Sequence, residues 1–198
     1  MKFDFNDGYG LVNAKRHKNL DGTKGGWVAA TARVDSTCYI GYNAMVYGNA
    51  HVSGNAQVYG YARVSGNARV SGNAQVSGNA QVFGYAHVYD DAQVYGYAQV
   101  SGNAHVYGYV YVFGNAQVYD YARVYGDAHV YGNALVFDDA QVSGYAQVSG
   151  NARVFGDVYV FENALVYGNA QVYGYARVFG NARVYEKARV FGYDKITA

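Results

Sequence analysis

The chain has 198 residues, with 15 basic against 14 acidic side chains and a formal net charge of +1, so bulk charge selects no class of partner. A composition of 26 Gly, 24 Tyr and no Pro, with only 15% charged residues, departs from an average globular domain and points to a repeat protein. One cysteine excludes a disulfide framework or a Cys-based zinc finger, and no apolar run approaches the roughly 20 residues that span a bilayer, so no membrane partner is expected.

In chain order, the first 25 residues have no regular period and hold Lys2, Lys15, Arg16, His17, Lys18 and Lys24. They read as a polar cap, closed by Trp27, over whatever follows. Met1–Asp7 places acids where a secretory signal needs a continuous apolar stretch, which predicts a cytoplasmic, reducing location. From residue 26 to 198 a six-residue unit recurs without slipping, typified by Asn55-Ala56-Gln57-Val58-Tyr59-Gly60. Counting by sixes from Val28 to Ile196 meets 29 positions, every one Val or Ile, and two residues before each the chain is nearly always small.

Two apolar residues separated by one polar residue are the alternation of a strand with one buried face. The remaining pair, Gly-Asn, Gly-Tyr, Gly-Asp or Asp-Asp, is suited to a tight corner with positive φ. The unit therefore predicts a four-residue strand, Ala-x-Val-x, and a bend. Such a strand cannot bury its own Val and Ala, so the chain must coil and stack successive turns into one core.

Units such as Val58-Tyr59-Gly60-Tyr61-Ala62-Arg63 resemble those of the hexapeptide-repeat family, in which an aliphatic residue is followed four positions later by a small one. The resemblance implies an all-β fold, a left-handed parallel β-helix of triangular section with three units per coil, here about nine to ten coils. The opening Gly25-Gly26-Trp27-Val28 is also similar to that of uncharacterised bacterial and prophage proteins labelled as transferases. Here the position after the aliphatic residue is mostly Tyr, Phe or Ser, where family enzymes often have a small residue.

With 18 residues per coil, outward residues sort into three columns. The column before Val34 and its successors holds Arg33, His51, Arg69, His87, His105, Arg123, Gln141, Tyr159, Arg177 and Lys195, eight of ten basic or His. The other two columns hold five such residues between them, so this face, through Arg33, His51, Arg69, His87, His105, Arg123 and Arg177, is the candidate site for an anionic small molecule or polyanion. Neighbouring Tyr89, Tyr107, Tyr125, Phe161 and Phe179 are expected to stack bases or sugars beside those charges. Resting on tyrosine rings in solvent is the bland alternative for the same cations.

On the Val28 face, Leu135, Phe137, Phe155, Tyr173 and Phe191 form the most apolar exterior strip and are the expected oligomer contact, since hexapeptide-repeat proteins are commonly trimers. Gln57, Gln75 and Gln93, and Gln81, Gln99 and Gln117, are placed to form amide ladders. Asp120, Asp138, Asp139 and Asp157 gather at one corner, where carboxylates ordinarily satisfy backbone amides, and no metal is assigned to them. Asp194 falls on an inward small-residue position, which discourages further strands from docking on the last coil, and end-to-end dimerisation is the alternative to a trimer.

Many hexapeptide-repeat proteins are acyl-CoA-dependent acyltransferases, so the resemblance raises that activity as the alternative function. The repeat has no inserted loop to enclose an acyl donor, and the stacked His87 and His105, with His129 on the next face, have only Asp90 and Asp91 as nearby carboxylates. The sequence therefore reads as a noncatalytic solenoid used as a scaffold or binding surface, with no catalytic residues and no cofactor assigned. Only Thr23, Thr31, Thr37 and Thr197 are threonines, which removes an ice-binding Thr array.

Overall fold

The computed structural model describes residues 1–198. It is an all-β, three-sided parallel solenoid of about nine coils, without helices, whose sides are sheets of 12, 10 and 9 strands. Strands 18 residues apart pair in parallel register, as in Gln75 with Gln93 and Val76 with Val94. The three columns expected from the spacing are thus the three sheets, named here by the first aliphatic residue of each: the Val28, Val34 and Ile40 faces.

The regular strands are shorter than predicted, most of them two residues such as Gln57–Val58. The reason lies at the corner. Gly60 has φ 66°, and the Ala62 N–H turns back to the Tyr59 carbonyl at 3.4 Å, a positive φ at the first central position as in a type II′ turn. Hydrogen bonding nevertheless continues around the bend: the N–H groups of Gln57, Tyr59 and Tyr61 reach the carbonyls of Ala74, Val76 and Gly78 at 2.9, 2.9 and 2.7 Å. Glycine suits the corner on two counts, since a Cβ on Gly66 would also stand 3.0 Å from the Gly84 nitrogen in the next coil, although Asp90, Asp120, Asp138, Glu162 and Glu186 hold the same corner with φ of 56 to 59°. Where Val110 and Val158 replace the small inward residue, φ of the preceding Gly108 and Gly156 widens to 84° and 81°, and the strands run on to Tyr107 and Gly156.

Inside, the aliphatic and small residues form one continuous core from Val28 to Val190, nearly all of it without solvent exposure. Val and Ala bury modest area each, so length rather than bulk supplies the core.

The amino-terminal residues depart from the expected polar cap. Strand β1 (Lys2–Asp4) pairs antiparallel with β2 (Leu11–Lys18), which pairs antiparallel with β3 (Lys24–Ala29) and so extends the Val28 sheet. This segment carries its own apolar cluster, with Phe5 fully buried and Phe3 stacked on Trp27 at 4.3 Å. Trp27 faces outward, and the Arg16 guanidinium lies between Trp27 and Tyr42, at 4.5 and 4.1 Å from their ring centres. The first Ile40-face strand is closed by side chains instead of a neighbouring strand. Asn19 accepts the Ile40 N–H at 2.9 Å and donates to the Ile40 carbonyl at 3.3 Å, while His17 Nε2 lies 3.0 Å from the Cys38 carbonyl. No helix in the structure is long and apolar enough to cross a membrane.

Candidate functional site: a basic face with stacked rings

A strand of the Val34 face presents three outward positions, because Val and the small residue point inward and alternate with them. The middle position carries the cations. Arg33, His51, Arg69, His87, His105 and Arg123 pair in successive coils and are followed by Gln141, Tyr159, Arg177 and Lys195. No carboxylate stands anywhere in this column. His87 and His105 lie ring over ring at 4.8 Å, and the Arg177 guanidinium sits 5.5 Å over the Tyr159 ring.

Electrostatics agree with that geometry. Partial burial lowers the basicity of both His87 and His105; the charges of His105 and Arg69 add to the effect at His87, and that of Arg123 at His105. The charges that act on the histidines are all positive. Asp90 and Asp91, the carboxylates nearest in sequence, are turned elsewhere: Asp91 accepts a hydrogen bond from Asn73 at 3.1 Å, and Asp90 acts on Tyr89 and Tyr107. His129 lies on the Ile40 face, against Tyr111 at 5.0 Å, and does not join the pair.

The position two residues before each cation supplies a second wall. Thr31, Asn49 and Asn67 with Arg33, His51 and Arg69 line an entirely polar groove of about 350 Å³. Further along the same face, Tyr175, Tyr193 and Asp157 with Tyr159, Arg177 and Lys195 line a groove of about 540 Å³. Sequence reasoning sorted the residues directly before and after each Val and so missed these wall residues, apart from Asp157, which it assigned to a corner. The two-residue alternation that identified the strands was the signal for them.

The position after Val carries the rings. Tyr89, Tyr107 and Tyr125 stack at 4.8 and 5.2 Å with interplanar angles of 5° and 6°, and Phe161 stacks on Phe179 at 5.0 Å. This corrects the expectation that each ring offers a face to a base or sugar: the faces are spent on one another, and only rings at the ends of a stack retain a free one. The apolar strip of the Val28 face is built in the same way. Tyr119, Phe137, Phe155, Tyr173 and Phe191 stack at 4.9 to 5.5 Å, Leu135 stands half-buried beside them, and the Arg153 guanidinium lies 5.6 and 5.7 Å from the Phe137 and Phe155 rings.

One further expectation is corrected. The glutamines stack in register, yet they bond tyrosine hydroxyls: Tyr59 donates to Gln75 at 3.1 Å and Tyr131 to Gln147 at 3.2 Å. Amide ladders form instead from corner asparagines, Asn115, Asn133, Asn151 and Asn169, at 3.0 to 3.3 Å, because a short side chain at a stacked corner reaches the corner side chain of the next coil. Asp194 is exposed in the last coil, and its carboxylate accepts the Phe191 N–H at 3.2 Å.

The corner acids serve the backbone. Asp138 accepts the Gly156 N–H at 3.2 Å, and Glu162 the Gly180 N–H at 2.8 Å, each in the next coil. No group of three or more His, Cys, Asp or Glu side chains converges as a metal site. The single thiol, Cys38, is buried, and burial together with the charge of Asp35 pushes its pKa to about 11.

The fold thus defines a β-solenoid repeat protein of triangular section. Within that class the chain is similar to the YdcK β-solenoid repeat, whose family model matches residues 62–75, 74–90, 116–131, 128–144, 146–162 and 176–192. No curated protein matches the chain.

Proposed function

We propose that the protein is a noncatalytic, rigid scaffold whose Val34 face binds an anionic ligand or polyanion. The observation that carries this reading is the unbroken run of Arg33, His51, Arg69, His87, His105 and Arg123 in paired strands, one cation or histidine per coil with no carboxylate among them. Like charges at the ~4.8 Å spacing of paired strands repel, and a bound anion relieves that repulsion along the whole face. The polar groove beside Arg33 and Arg69 gives an oxyanion amide and hydroxyl partners as well as charge. Membership of the hexapeptide-repeat family, supported by the six-residue unit, fits a scaffold as well as an enzyme, and no inserted loop encloses an acyl donor here.

Titration with inorganic polyphosphate tests the reading. Affinity should fall linearly with the logarithm of salt concentration, as counterions are released from the ligand. Arg69→Glu with Arg123→Glu should weaken binding at least about tenfold while leaving the thermal midpoint nearly unchanged, because both side chains are exposed. Equal affinity before and after the double substitution contradicts the proposal.

A further inference from the structure

The ring stacks are interrupted, and the interruptions follow a rule. Wherever Tyr follows Val in one coil, Ser follows it in the next, and Gln stands two residues before that Ser, the tyrosine hydroxyl bonds to the glutamine. Tyr59 reaches Gln75 above Ser77 at 3.1 Å, Tyr131 reaches Gln147 above Ser149 at 3.2 Å, and Tyr125 reaches Gln141 above Ser143 at 3.5 Å. Each tyrosine leans over a notch in which the next rung of the stack is a hydroxymethyl group instead of a ring.

Only one of these three notches opens on the basic face. Ser143 lies between Tyr125, the last ring of the Tyr89–Tyr107–Tyr125 stack, and Phe161, the first ring of the Phe161–Phe179 stack. Both rings therefore turn an unstacked face toward the notch. They stand two coils apart, about 10 Å, twice the ~4.8 Å strand spacing. A flat ring midway between them would lie at the 4.8 to 5.2 Å separation that the rings above already adopt. The tyrosine closing this notch is held by the longest of the three hydroxyl–amide bonds, whereas Ser149 in the Ile40-face notch is buried. Arg123 is two residues before Tyr125 on the same side of the strand, and His105, His87 and Arg69 continue upward from it. The Gln141 amide, whose nitrogen donates to the Tyr159 hydroxyl at 3.4 Å, borders the notch with both donor and acceptor groups.

We infer that the notch over Ser143, between Tyr125 and Phe161, takes one unpaired nucleobase, and that the ligand of the basic face is single-stranded nucleic acid with its phosphates along Arg123, His105 and Arg69. This rests on the cation-face reading above for the phosphates and adds the base. Stacking on ring faces is tolerant of base identity, so the site prefers a base over no base rather than one sequence over another.

The test compares three probes at neutral pH: a short thymidine oligonucleotide, an abasic oligonucleotide of equal length and charge, and inorganic polyphosphate. The protein should bind the base-bearing strand about fivefold or more tighter than the abasic one, the low end of what one stacked base contributes. Ser143→Tyr, which supplies the missing rung, should abolish that preference, raise the melting temperature and leave polyphosphate binding unchanged. Phe161→Ala, which removes one wall, should reduce the preference by a second route, and it replaces Ser143→Tyr if that variant fails to fold. Equal affinity for the two strands, or a preference that survives both substitutions, overturns the notch. If polyphosphate binds while the strands are not distinguished, the cation face stands and the notch falls. A base preference sensitive to Ser143→Tyr without polyphosphate binding leaves the notch standing and removes the cation face.

Discussion

The two halves of the Val28 face share one core and differ in the outward position that follows each Val. From Tyr47 to Ser101 the position after Val alternates ring and serine: Tyr47, Ser65, Phe83, Ser101. From Tyr119 to Phe191 it is an unbroken stack of five rings. Beneath both halves the inward Val and Ala are buried, apart from Ala188 in the last coil, and the strands pair in the same register. The inner pattern is therefore dictated by packing alone, and the outer positions are free to vary. A ring outside contributes fully only when the coils above and below also present rings.

Core substitutions should not distinguish the halves, and that is the largest effect. Val82→Asp and Val154→Asp each place an unpaired carboxylate at a fully buried site and should each cost about 4 kcal/mol or more by chemical denaturation. A much smaller cost in one half would break the claim of a uniform core. Ring removal should separate them. Phe155→Ala loses stacking on both Phe137 and Tyr173 and should cost about 2 kcal/mol, while Phe83→Ala, with serines above and below, should cost about 1 kcal/mol or less. Equal costs would mean that stacking along the column adds nothing to burial.

A smaller effect concerns pH on the Val34 face, where Arg69, His87, His105 and Arg123 stand in successive coils and the Tyr89 ring lies edge-on to His105. Both histidines are less basic in the fold than an unfolded His, so the unfolded chain binds more protons as pH falls below about 6.5. Their stabilising contribution is complete above that pH and is lost as pH drops through the lower folded-state values. Polyanion affinity should move the other way, rising over the same range as two more positive charges appear. Replacing both histidines by Gln should flatten both trends in thermal melts and titrations. The smallest effect is chemical: Cys38, with its thiol pushed to about 11, should react with iodoacetamide far more slowly in the folded protein than in denaturant at the same pH.

What was legible in the sequence was the lattice. An aliphatic residue every six positions places the columns, and Arg69 stands beside His51 and His87 as the count requires. Strand length was overestimated because Gly at the second position after Val takes a positive φ, which ends the strand while hydrogen bonding continues around the corner. Side-chain direction was not legible. Spacing names Gln57 and Gln75 as neighbours but leaves unsaid that Tyr59, two positions further along, has the reach to take the Gln75 acceptor. The same holds for the ring faces: register puts Tyr107 under Tyr89, and only the stacked geometry shows those faces to be occupied. In the first 25 residues no period exists to exploit. Phe3 and Phe5 seat that segment through contacts that only the folded chain brings together.

If register, and not net charge, makes the binding face, two charge-matched pairs of substitutions will behave differently. Arg69→Glu with Arg123→Glu on the Val34 face, and Arg63→Glu with Arg153→Glu on the Val28 face, change the total charge identically. Polyphosphate affinity at fixed salt should fall at least about tenfold for the first pair and change little for the second. Equal losses for both pairs would contradict the claim.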